Sequence, residues 1–410
     1  MRASPSTETF RALAEEAAGL DARYDGLADR RWFALPDDVV YLDGNSLGPP
    51  VSWLPQRLRE LVEDQWSGDL IASWEQHGWW EAPARLGDKI APIIGAHSGE
   101  VVVGDSTSVH LFNALCAACR RAASRDVILV DKDDFPTDRY MAHSIGRLLG
   151  LRVVESSYAE FPSQIQQCAD SLAVVLSSTV DYRSAELRDM GLLTELVHKA
   201  GGLAIWDLSH AAGALPLDVR ADGADFAVGC TYKFLSGGPG SPAYLYTSAR
   251  IADQLDFPLT GWAGHAAPFD MSSVWRPHQG VRSGRIGTPS MLAMATLEAA
   301  LEIFDRVALS DVREKSTSLT DFFIRAFDRL LPEGSFALAS PREPAARGSH
   351  VSLRHDRAQD LVLALAAERV VVDHRQPDLL RFGFNALFNT HVEALGSVSA
   401  LREIAVESST

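Results

Sequence analysis

The sequence predicts an α/β protein built on a mainly parallel sheet that is covered by helices on both faces. The first observation is that short apolar runs alternate with stretches of helical spacing between about residues 100 and 250. The second is that these runs are continuously apolar, which is typical of strands buried on both faces. The third is that one run ends on Asp207 and another ends just before Lys233. Because ligands of open α/β sheets bind at the carboxyl ends of strands, the same pattern indicates a site.

Seven apolar runs are predicted as the strands of this large sheet. In chain order they are residues 100–103, 127–130, 151–154, 172–176, 203–206, 226–228 and 243–246. The segments between them have helical spacing, and residues 189–202 end on Gly201-Gly202, a helix stop signal. Strands that alternate with helices in this way favour right-handed crossovers and a parallel sheet.

The pattern changes after about Thr288. A long helical stretch at 290–306 leads to weaker predicted strands at 370–373 and 380–384, which indicates a smaller α+β C-terminal domain. The predicted division is residues 1–55 as an N-terminal segment that packs with the small domain, 56–290 as the large ligand-binding domain and 291–410 as the small domain.

Composition limits the function classes. A chain of 410 residues allows two or three units of ~150 residues each. A net charge of −16 disfavours nucleic acid and anionic membranes, and no apolar run approaches the ~20 residues of a membrane span. Residues 1–8 lack the apolar region of a signal peptide, and the four cysteines fall in apparently buried elements. These features favour a cytoplasmic enzyme with a small-molecule substrate.

The Cys116-Ala-Ala-Cys119 motif has a redox or metal-binding interpretation. The motif lies inside a stretch with an apolar helical face, however, and free cysteine is among the most buried residue types. No second cysteine pair completes a metal site, so two buried cysteines are expected and no metal is predicted.

Asp207 and Lys233 together indicate pyridoxal phosphate (PLP). This cofactor needs an amine for its Schiff base and an acid against its ring nitrogen. Burial makes an amine such as Lys233 more nucleophilic, and a buried Asp207 needs a partner, which a pyridinium N–H would supply. His210 lies one turn after Asp207, near the expected ring or as the group that orients Asp207. The structural alternatives are a surface lysine, a helix-capping aspartate and a core histidine.

Two further segments follow predicted strands. Thr107 and Ser108 open a helix after the first strand, where free N–H groups and hydroxyls suit a phosphate, although ordinary helix capping gives the same pattern. After the second strand, Phe135 can stack on a pyridine ring and Asp138 can support the ring charge. As a bare pattern, the second segment is a polar loop.

Other candidates are less specific. Arg381 follows an apolar pair and can bind an amino-acid carboxylate, although a surface salt bridge is the commoner fate of a single arginine. The glycine-bearing loops 261–265 and 282–289 are rich in donors. Four tryptophans crowd one segment and permit an aryl substrate, although such clusters are more often core: Trp66, Trp74, Trp79 and Trp80.

Taken together, these residues resemble the kynureninases, fold-type I PLP-dependent enzymes of the class V aminotransferase superfamily. The resemblance runs from about Tyr41 to Arg381 and rests on an ordered set of segments: Tyr41-Leu-Asp-Gly-Asn-Ser-Leu-Gly48, Asp105-Ser-Thr-Ser-Val109, Phe135-Pro-Thr-Asp138, Trp206-Asp-Leu-Ser-His210, Tyr232-Lys-Phe-Leu235, Gly261-Trp-Ala-Gly-His265 and Gly287-Thr-Pro289. Single segments are shared with cysteine desulfurases and class V aminotransferases, whereas the ordered set is specific to kynureninases.

The resemblance implies a role for each matching residue. Lys233 would form the Schiff base and later move the proton, with Tyr232 and Asp207 completing the catalytic set. The implied cofactor contacts are the phosphate residues Thr107, Ser108 and Tyr232, the stacking residue Phe135, the ring-nitrogen residues Asp138 and Asp207, the flanking residues Ser178 and His210, and Trp262 and Thr288 from a neighbouring subunit. The implied substrate contacts are Arg381 at the carboxylate and Ser46, His77 and His265 around the pocket.

The implied reaction is hydrolysis of the Cβ–Cγ bond of kynurenine to an anthranilate and alanine, by a homodimer. Three positions depart from the family pattern, His110, Ala263 and Ser209. An added histidine and a lost aromatic side chain would accommodate a substituted ring, so 3-hydroxykynurenine or another substituted kynurenine stays open. The resemblance also leaves open whether the role is tryptophan catabolism or biosynthesis.

Three alternatives accompany this interpretation. A cysteine desulfurase needs a persulfide-forming cysteine in its C-terminal half, and the sequence has none after Cys230. An aminotransferase must bind two carboxylates, and only Arg381 is an evident clamp. A catalytically silent PLP-fold binding protein would have no need of Lys233 and Asp207.

Overall fold

The structure is a computed structural model that describes residues 7–407. Thirteen strands lie within that range. They are β1 Val40–Tyr41, β2 Val101–Gly104, β3 Val127–Asp131, β4 Arg152–Ser156, β5 Leu172–Ser178, β6 Leu203–Asp207, β7 Phe226–Gly229, β8 Ala243–Thr247, β9 Ala337–Leu338, β10 His350–Arg354, β11 Val370–Val371, β12 Asp373–Arg375 and β13 Leu379–Gly383.

The helices of the described residues lie mostly between these strands. They are α1 Thr7–Arg23, α2 Leu54–Arg59, α3 Ser67–Asp69, α4 Ser73–Gln76, α5 Ala82–Ile94, α6 Thr107–Arg121, α7 Pro136–Leu149, α8 Phe161–Gln167, α9 Met190–Lys199, α10 Met291–Leu301, α11 Leu309–Leu330, α12 Ala358–Ala367 and α13 His391–Glu407. A π-helical segment, Glu60–Trp66, joins α2 to α3.

The large sheet has seven strands in the order β2-β8-β7-β6-β5-β3-β4. The five strands from β7 to β4 are mutually parallel, and β8 runs antiparallel to both of its neighbours. The predicted mainly parallel seven-stranded sheet is therefore confirmed. Each of the seven predicted runs forms one of these strands, because the continuous apolar runs supply side chains to both covered faces.

The cores on the two faces of this sheet explain its sequence pattern. Successive side chains of β6 point to opposite faces, so Trp206 belongs to one apolar cluster and Ile205 to the other. The helix α9 begins where the Asp189 side chain accepts a hydrogen bond from the Leu192 N–H at 2.9 Å. It is followed by Gly201 at φ +78°, which confirms the predicted stop.

A second sheet of order β12-β13-β10-β9 is antiparallel throughout. Its core contains side chains of the long helix α11 together with Leu13 and Ala17 of α1, both fully buried. The N-terminal helix therefore packs with C-terminal elements. The residues at which the predicted domains divide stay a prediction.

Two details differ from the sequence pattern. The helix predicted at 290–306 ends at Leu301, and the run predicted as one strand at 370–373 belongs to two sheets, β11 with β1 and β12 with β13. The spacing of apolar residues does not reveal that the strand changes its pairing partner, because pairing is set by tertiary contacts. Within residues 7–407, no helix has both the length and the apolar character needed to cross a membrane.

Candidate active site

A cavity of about 210 Å³ lies at the carboxyl ends of the central strands. Asp207 and Ser178 are the last residues of β6 and β5, and Lys233 follows β7 by four positions. The lining brings together most of the predicted cofactor residues: Thr107, Ser108, Phe135, Asp138, Ser178, Asp207, His210, Tyr232 and Lys233. Their convergence follows from the parallel topology, which directs these strand ends to one edge.

Lys233 and His210 form the central contact of the cavity. The Lys233 Nζ atom lies 2.9 Å from His210 Nε2 and 5.8 Å from the centre of the Phe135 ring. Burial, followed by the charge of Lys233, holds the pKa of His210 well below its usual value, so the imidazole is neutral. Its Nδ1 atom is buried without a hydrogen-bond partner in the described part of the chain. The cavity lining thus brings together an amine, an aromatic face and a neutral imidazole.

Asp207 and Asp138 form a carboxyl pair at the same site. Burial raises the pKa of both groups, and repulsion by Asp207 adds to the rise at Asp138. At Asp207 the rise is opposed by hydrogen bonding to the Ser209 side chain, by the charge of Lys233 and by the Ser209 backbone N–H, which donates to Oδ1 at 2.7 Å. Asp138 therefore holds the proton and Asp207 carries the charge. The Asp138 Oδ2 atom is buried and has no hydrogen-bond partner among residues 7–407.

The opposite end of the cavity is the N-terminus of α6. Ser106 caps this helix by accepting from the Val109 N–H at 3.4 Å, which leaves Thr107 and Ser108 in the first turn. The preceding Asp105 has φ +42°, so the chain turns sharply from β2 into the helix. Free N–H groups and the helix dipole at this end favour an anion.

The loops that carry Phe135 and Ser178 are joined by a buried ion-pair network centred on Arg188. Its guanidinium contacts Asp131 at 2.5 Å, Asp134 at 2.6 Å and Asp181 at 3.3 Å. Asp134 in turn accepts from the Ser178 N–H at 2.9 Å. Sequence reasoning missed this network, because its members come from three separate segments.

Tyr232 lines the cavity, and its backbone carbonyl accepts from the Gly48 N–H at 2.7 Å. A Cβ at Gly48 would lie 2.3 Å from the Lys233 carbonyl oxygen, so only glycine permits this approach. The segment 41–48 is thereby packed directly behind the lysine. Burial raises the pKa of the Tyr232 hydroxyl, which keeps it protonated.

Arg381 is fully buried and does not line the cavity. Its guanidinium donates to both carboxylate oxygens of Asp373, to the Tyr182 carbonyl at 2.6 Å and to Ser46 Oγ at 2.9 Å. Tyr182 is itself a lining residue. The predicted carboxylate clamp thus lies directly behind the cavity wall and already holds an internal carboxylate.

Four predicted site residues lie away from this cavity. His77 bonds to Asp69 at 2.7 Å, and His265 is engaged at both ring nitrogens by the backbone of 267 and 274. Trp262 packs on Trp80, with ring centres 4.6 Å apart, and Thr288 lines a neighbouring cavity. Within residues 7–407 of one chain, these four side chains do not meet the central group.

The three departures from the family pattern lie in different surroundings. Ser209 Oγ accepts from the Cys230 N–H at 3.1 Å and helps to fix the turn after Asp207. His110 is buried, with Nε2 2.8 Å from the Gly104 carbonyl oxygen, and lines the same neighbouring cavity as Thr288. Ala263 is buried. Cys116 and Cys119 are free and buried in α6, as the sequence predicts.

The residues of the cavity fit PLP. His210 and Asp138 line the cavity together with the lysine amine and a charged aspartate, and each has a buried polar atom without a partner among the described residues. The α6 N-terminus suits the phosphate, and the exposed face of Phe135 suits the ring. Fold and site together define a PLP-dependent enzyme of the fold-type I class.

Solved structures support this fold class. A cysteine desulfurase from Thermococcus onnurineus matches with a TM-score of 0.79 at 18% identity, covering 92% of this chain and 97% of that chain. A C-DES variant with glycine covalently linked to the PLP cofactor matches with a TM-score of 0.79 at 15% identity, covering 92% and 99%. At these identities the likeness shows the fold alone.

Sequence relatives are more specific. The chain is 44% identical over 391 residues to the kynureninase of Deinococcus radiodurans, with 94% of each chain covered. It is 41% identical over 400 residues to the kynureninase of Pseudomonas fluorescens, covering 95% of this chain and 94% of that one. The family model described as the kynureninase C-terminal domain matches residues 312–401. The chain therefore belongs to the kynureninase family.

Proposed function

We propose that this enzyme hydrolyses the Cβ–Cγ bond of L-kynurenine, 3-hydroxy-L-kynurenine or another ring-substituted kynurenine, to an anthranilate and L-alanine. The observation that carries the proposal is the placement of Lys233 between the neutral His210 and the face of Phe135. Membership of the kynureninase family supports it.

The chain's own groups have complementary tasks in this proposal. Bound PLP supplies an electron sink for negative charge at the substrate α-carbon. Asp207 places a fixed negative charge against the ring nitrogen, and Lys233 holds and moves the proton at its Nζ atom. Tyr232 remains protonated and can donate a proton within the cavity. A cavity that holds the reacting groups in place lowers the entropic part of the barrier.

The binding roles follow the same geometry. Thr107, Ser108 and Tyr232 are proposed to hold the phosphate, Phe135 to stack on the ring, and Ser178, Asp138 and His210 to flank it. Arg381 and Ser46 are proposed to receive the substrate carboxylate behind Tyr182. These assignments make the wall formed by Tyr182 the boundary between the cofactor and the carboxylate site.

We propose that the enzyme acts as a homodimer and that Trp262 and Thr288 contribute to the partner's site, with His77 and His265 nearby. None of the four reaches the cavity of its own chain within the described residues. The segment around Trp262 also exposes apolar side chains, with Phe269 65% and Met271 73% exposed. An exposed patch of this kind is typical of an interface.

Complementation tests the shared site. Lys233→Ala and Thr288→Ala subunits, each of low activity alone, are mixed under conditions that allow subunit exchange. Partial activity is expected, because one of the two mixed sites combines the intact residues of both chains. The shared-site proposal would be refuted if the wild type sediments as a monomer or if mixing the two variants restores no activity.

We propose that the chain divides into three parts at residues 55 and 290, as predicted. We also propose that the protein is cytoplasmic. The first is supported by the separate apolar core of the C-terminal sheet with α1. The second is supported by four free cysteines, which suit a reducing compartment. Limited proteolysis of the holoenzyme tests the division, and subcellular fractionation tests the location.

Release of an anthranilate from L-kynurenine and from 3-hydroxy-L-kynurenine is the direct test of the reaction. The wild type is expected to turn over at least one of them, and Lys233→Ala is expected to turn over neither. The ratio of the two kcat/KM values gives the ring preference. A protein that binds PLP and releases no anthranilate from either substrate would point to a different fold-type I reaction.

A further inference from the structure

Asp373 lies directly opposite Arg381 in the antiparallel pair of β12 and β13. Paired residues and their neighbours two positions away share one face of a sheet, so Arg375 lies on that face as well. Ser352 of β10 pairs with Arg381 on the other side. This face of the small sheet opposes the loop that carries Tyr182 and Arg183, to which Arg381 and Ser352 both donate hydrogen bonds.

The contact between Asp373 and Arg381 is bidentate along one edge of the guanidinium. Arg381 Nε donates to Oδ1 at 2.9 Å, and Nη2 donates to Oδ2 at 2.5 Å. The remaining hydrogen bonds run from Nη1 to the Tyr182 carbonyl and from Nη2 to the Ser46 hydroxyl. These four bonds account for four of the five N–H groups of an arginine. Nη1 therefore has a second N–H for which these bonds within residues 7–407 give no acceptor, and the Ser46 hydroxyl that accepts from Nη2 donates its own hydrogen to Asp373.

The net charge of this cluster would be balanced by one further carboxylate. Asp373 also forms an ion pair with Arg375 at 2.7 Å and accepts a hydrogen bond from Ser46 Oγ at 2.7 Å. Burial raises the pKa of Asp373, but Arg381 and Arg375 outweigh burial and the net pKa is lowered, so this carboxylate is ionised. As long as the neighbouring Asp43 is protonated, the two arginines against one ionised aspartate leave one positive charge, and a buried charge without a partner is costly. An amino-acid carboxylate would supply that partner.

We propose that Asp373 is the positioning residue of the carboxylate site. It fixes Arg381 by the Nε–Nη2 edge and so presents the Nη1–Nη2 edge to the substrate carboxylate, while Arg375 keeps the site one positive charge in excess. The inference rests on the proposed function, since it takes the substrate to be an amino acid that meets Arg381. It adds the residues that orient and balance that arginine.

The test compares Asp373→Asn with Asp378→Asn in the holoenzyme. Asp378 lies in the turn between β12 and β13 and pairs with Arg354, the last residue of β10, at 2.8 Å, so its variant removes an acid–arginine contact outside the cluster. In Asp373→Asn the amide NH₂ faces an Arg381 N–H, which disfavours the bidentate geometry. KM is expected to rise about tenfold or more with kcat changed by less than about threefold, because carboxylate binding weakens. Asp373→Glu keeps the charge and is expected to recover part of the affinity.

Two probes separate positioning from a merely structural role. The inhibition constant of the decarboxylated analogue of kynurenine is expected to be unchanged by Asp373→Asn, because that ligand has no group for Arg381. Calorimetric binding of L-alanine to the holoenzyme, which needs no turnover, is expected to weaken by about the same factor as KM.

These experiments distinguish failure of the positioning role of Asp373 from failure of the proposed reaction. A wild type that releases no anthranilate refutes the proposed function. An active wild type with unchanged or tighter carboxylate binding in Asp373→Asn refutes the positioning role, since Asp373 would then compete with the substrate or take no part. Equal loss of affinity for the decarboxylated analogue would also refute it.

Discussion

The Lys233 amine and the His210 imidazole are 2.9 Å apart, although they follow different strands of the large sheet. Because His210 is buried and neutral, only one of its Nε2 and Nδ1 atoms carries a hydrogen. If the Lys233 amine donates to Nε2, the hydrogen is on Nδ1, and if the amine accepts from Nε2, the hydrogen is on Nε2. The contact therefore links the tautomer of His210 to the direction of its hydrogen bond with the Lys233 amine.

His210→Phe is expected to lower kcat/KM by roughly 100-fold or more, a typical value for loss of a group in proton transfer. His210→Gln keeps a polar group near Lys233 and is expected to lose less. Steady-state kinetics and the affinity for PLP are measured together, because loss of cofactor alone would be restored by excess PLP. Wild-type rates in His210→Phe would exclude a role for the contact.

The carboxyl pair predicts unequal effects of two similar substitutions. Asp138 holds the proton, so Asp138→Asn replaces one neutral group by another of the same shape. Asp207 carries the charge, and Asp207→Asn removes the partner of the ring nitrogen. We expect Asp207→Asn to lower kcat by roughly 100-fold or more and Asp138→Asn by less than about tenfold.

Single-turnover absorbance measurements on the two variants check that Asp207→Asn is the more impaired enzyme. Each variant serves as the control for the other, because both introduce an amide at the same end of the cavity. If Asp138→Asn is the more damaged enzyme, the charge is on Asp138 and the assignment is wrong.

The large sheet was predictable because its strands are apolar on both faces and its chemical groups follow strand ends directly. Asp207, Lys233 and the first turn of α6 needed only the rule that parallel strands end at one edge. His77 and His265 were predicted to line the substrate pocket, but in one chain their nitrogens are engaged elsewhere, by Asp69 and by the backbone. A sequence pattern does not contain such local partners.

The ion-pair clusters were not predictable for a related reason. Arg188 meets Asp134 across 54 positions, and Arg381 meets Ser46 across 335 positions. The residues adjacent to each of them in the sequence form no motif that indicates these contacts. Only the folded arrangement of β3, β5 and the small sheet makes them neighbours, so these contacts follow from the structure alone, although the resemblance already implied substrate roles for Arg381 and Ser46.

Arg188 predicts a large effect on stability. Its side chain is 3% exposed and balances three aspartates. Arg188→Met leaves buried carboxylates without a counter-charge, which costs about 3–5 kcal/mol in the free energy of unfolding. Urea denaturation of the holoenzyme measures it, with the exposed Arg354→Met as the control. A loss below about 1 kcal/mol would show that the carboxyls simply take up protons.

His110 predicts a loss of stability in acid. Burial lowers the pKa of His110 to about 4 from 6.5, so the unfolded chain binds this proton more readily than the folded protein. Its contribution is therefore complete above pH 6.5 and is lost as the pH falls towards 4, by roughly 3 kcal/mol at 1.36 kcal/mol per pKa unit. Urea titrations at pH 7.5 and 5 should show a smaller pH effect in His110→Asn than in the wild type. Parallel losses in both proteins would assign the acid sensitivity to other groups.

Asp43 predicts that substrate affinity depends on pH. Its carboxyl lies beside Asp373, and burial, with repulsion by Asp373, raises the pKa of Asp43 to about 7. Below that pH the cluster of Asp43, Asp373, Arg375 and Arg381 has one net positive charge, and above it the charge is zero. We therefore expect KM to rise as the pH increases through about 7, since the attraction for the substrate carboxylate is lost. Asp43→Asn keeps the neutral form and is expected to hold the low KM up to pH 9. The ratio of the two KM values across pH 6–9 cancels titration of the substrate, and a ratio that stays constant would rule out Asp43 as the titrating group.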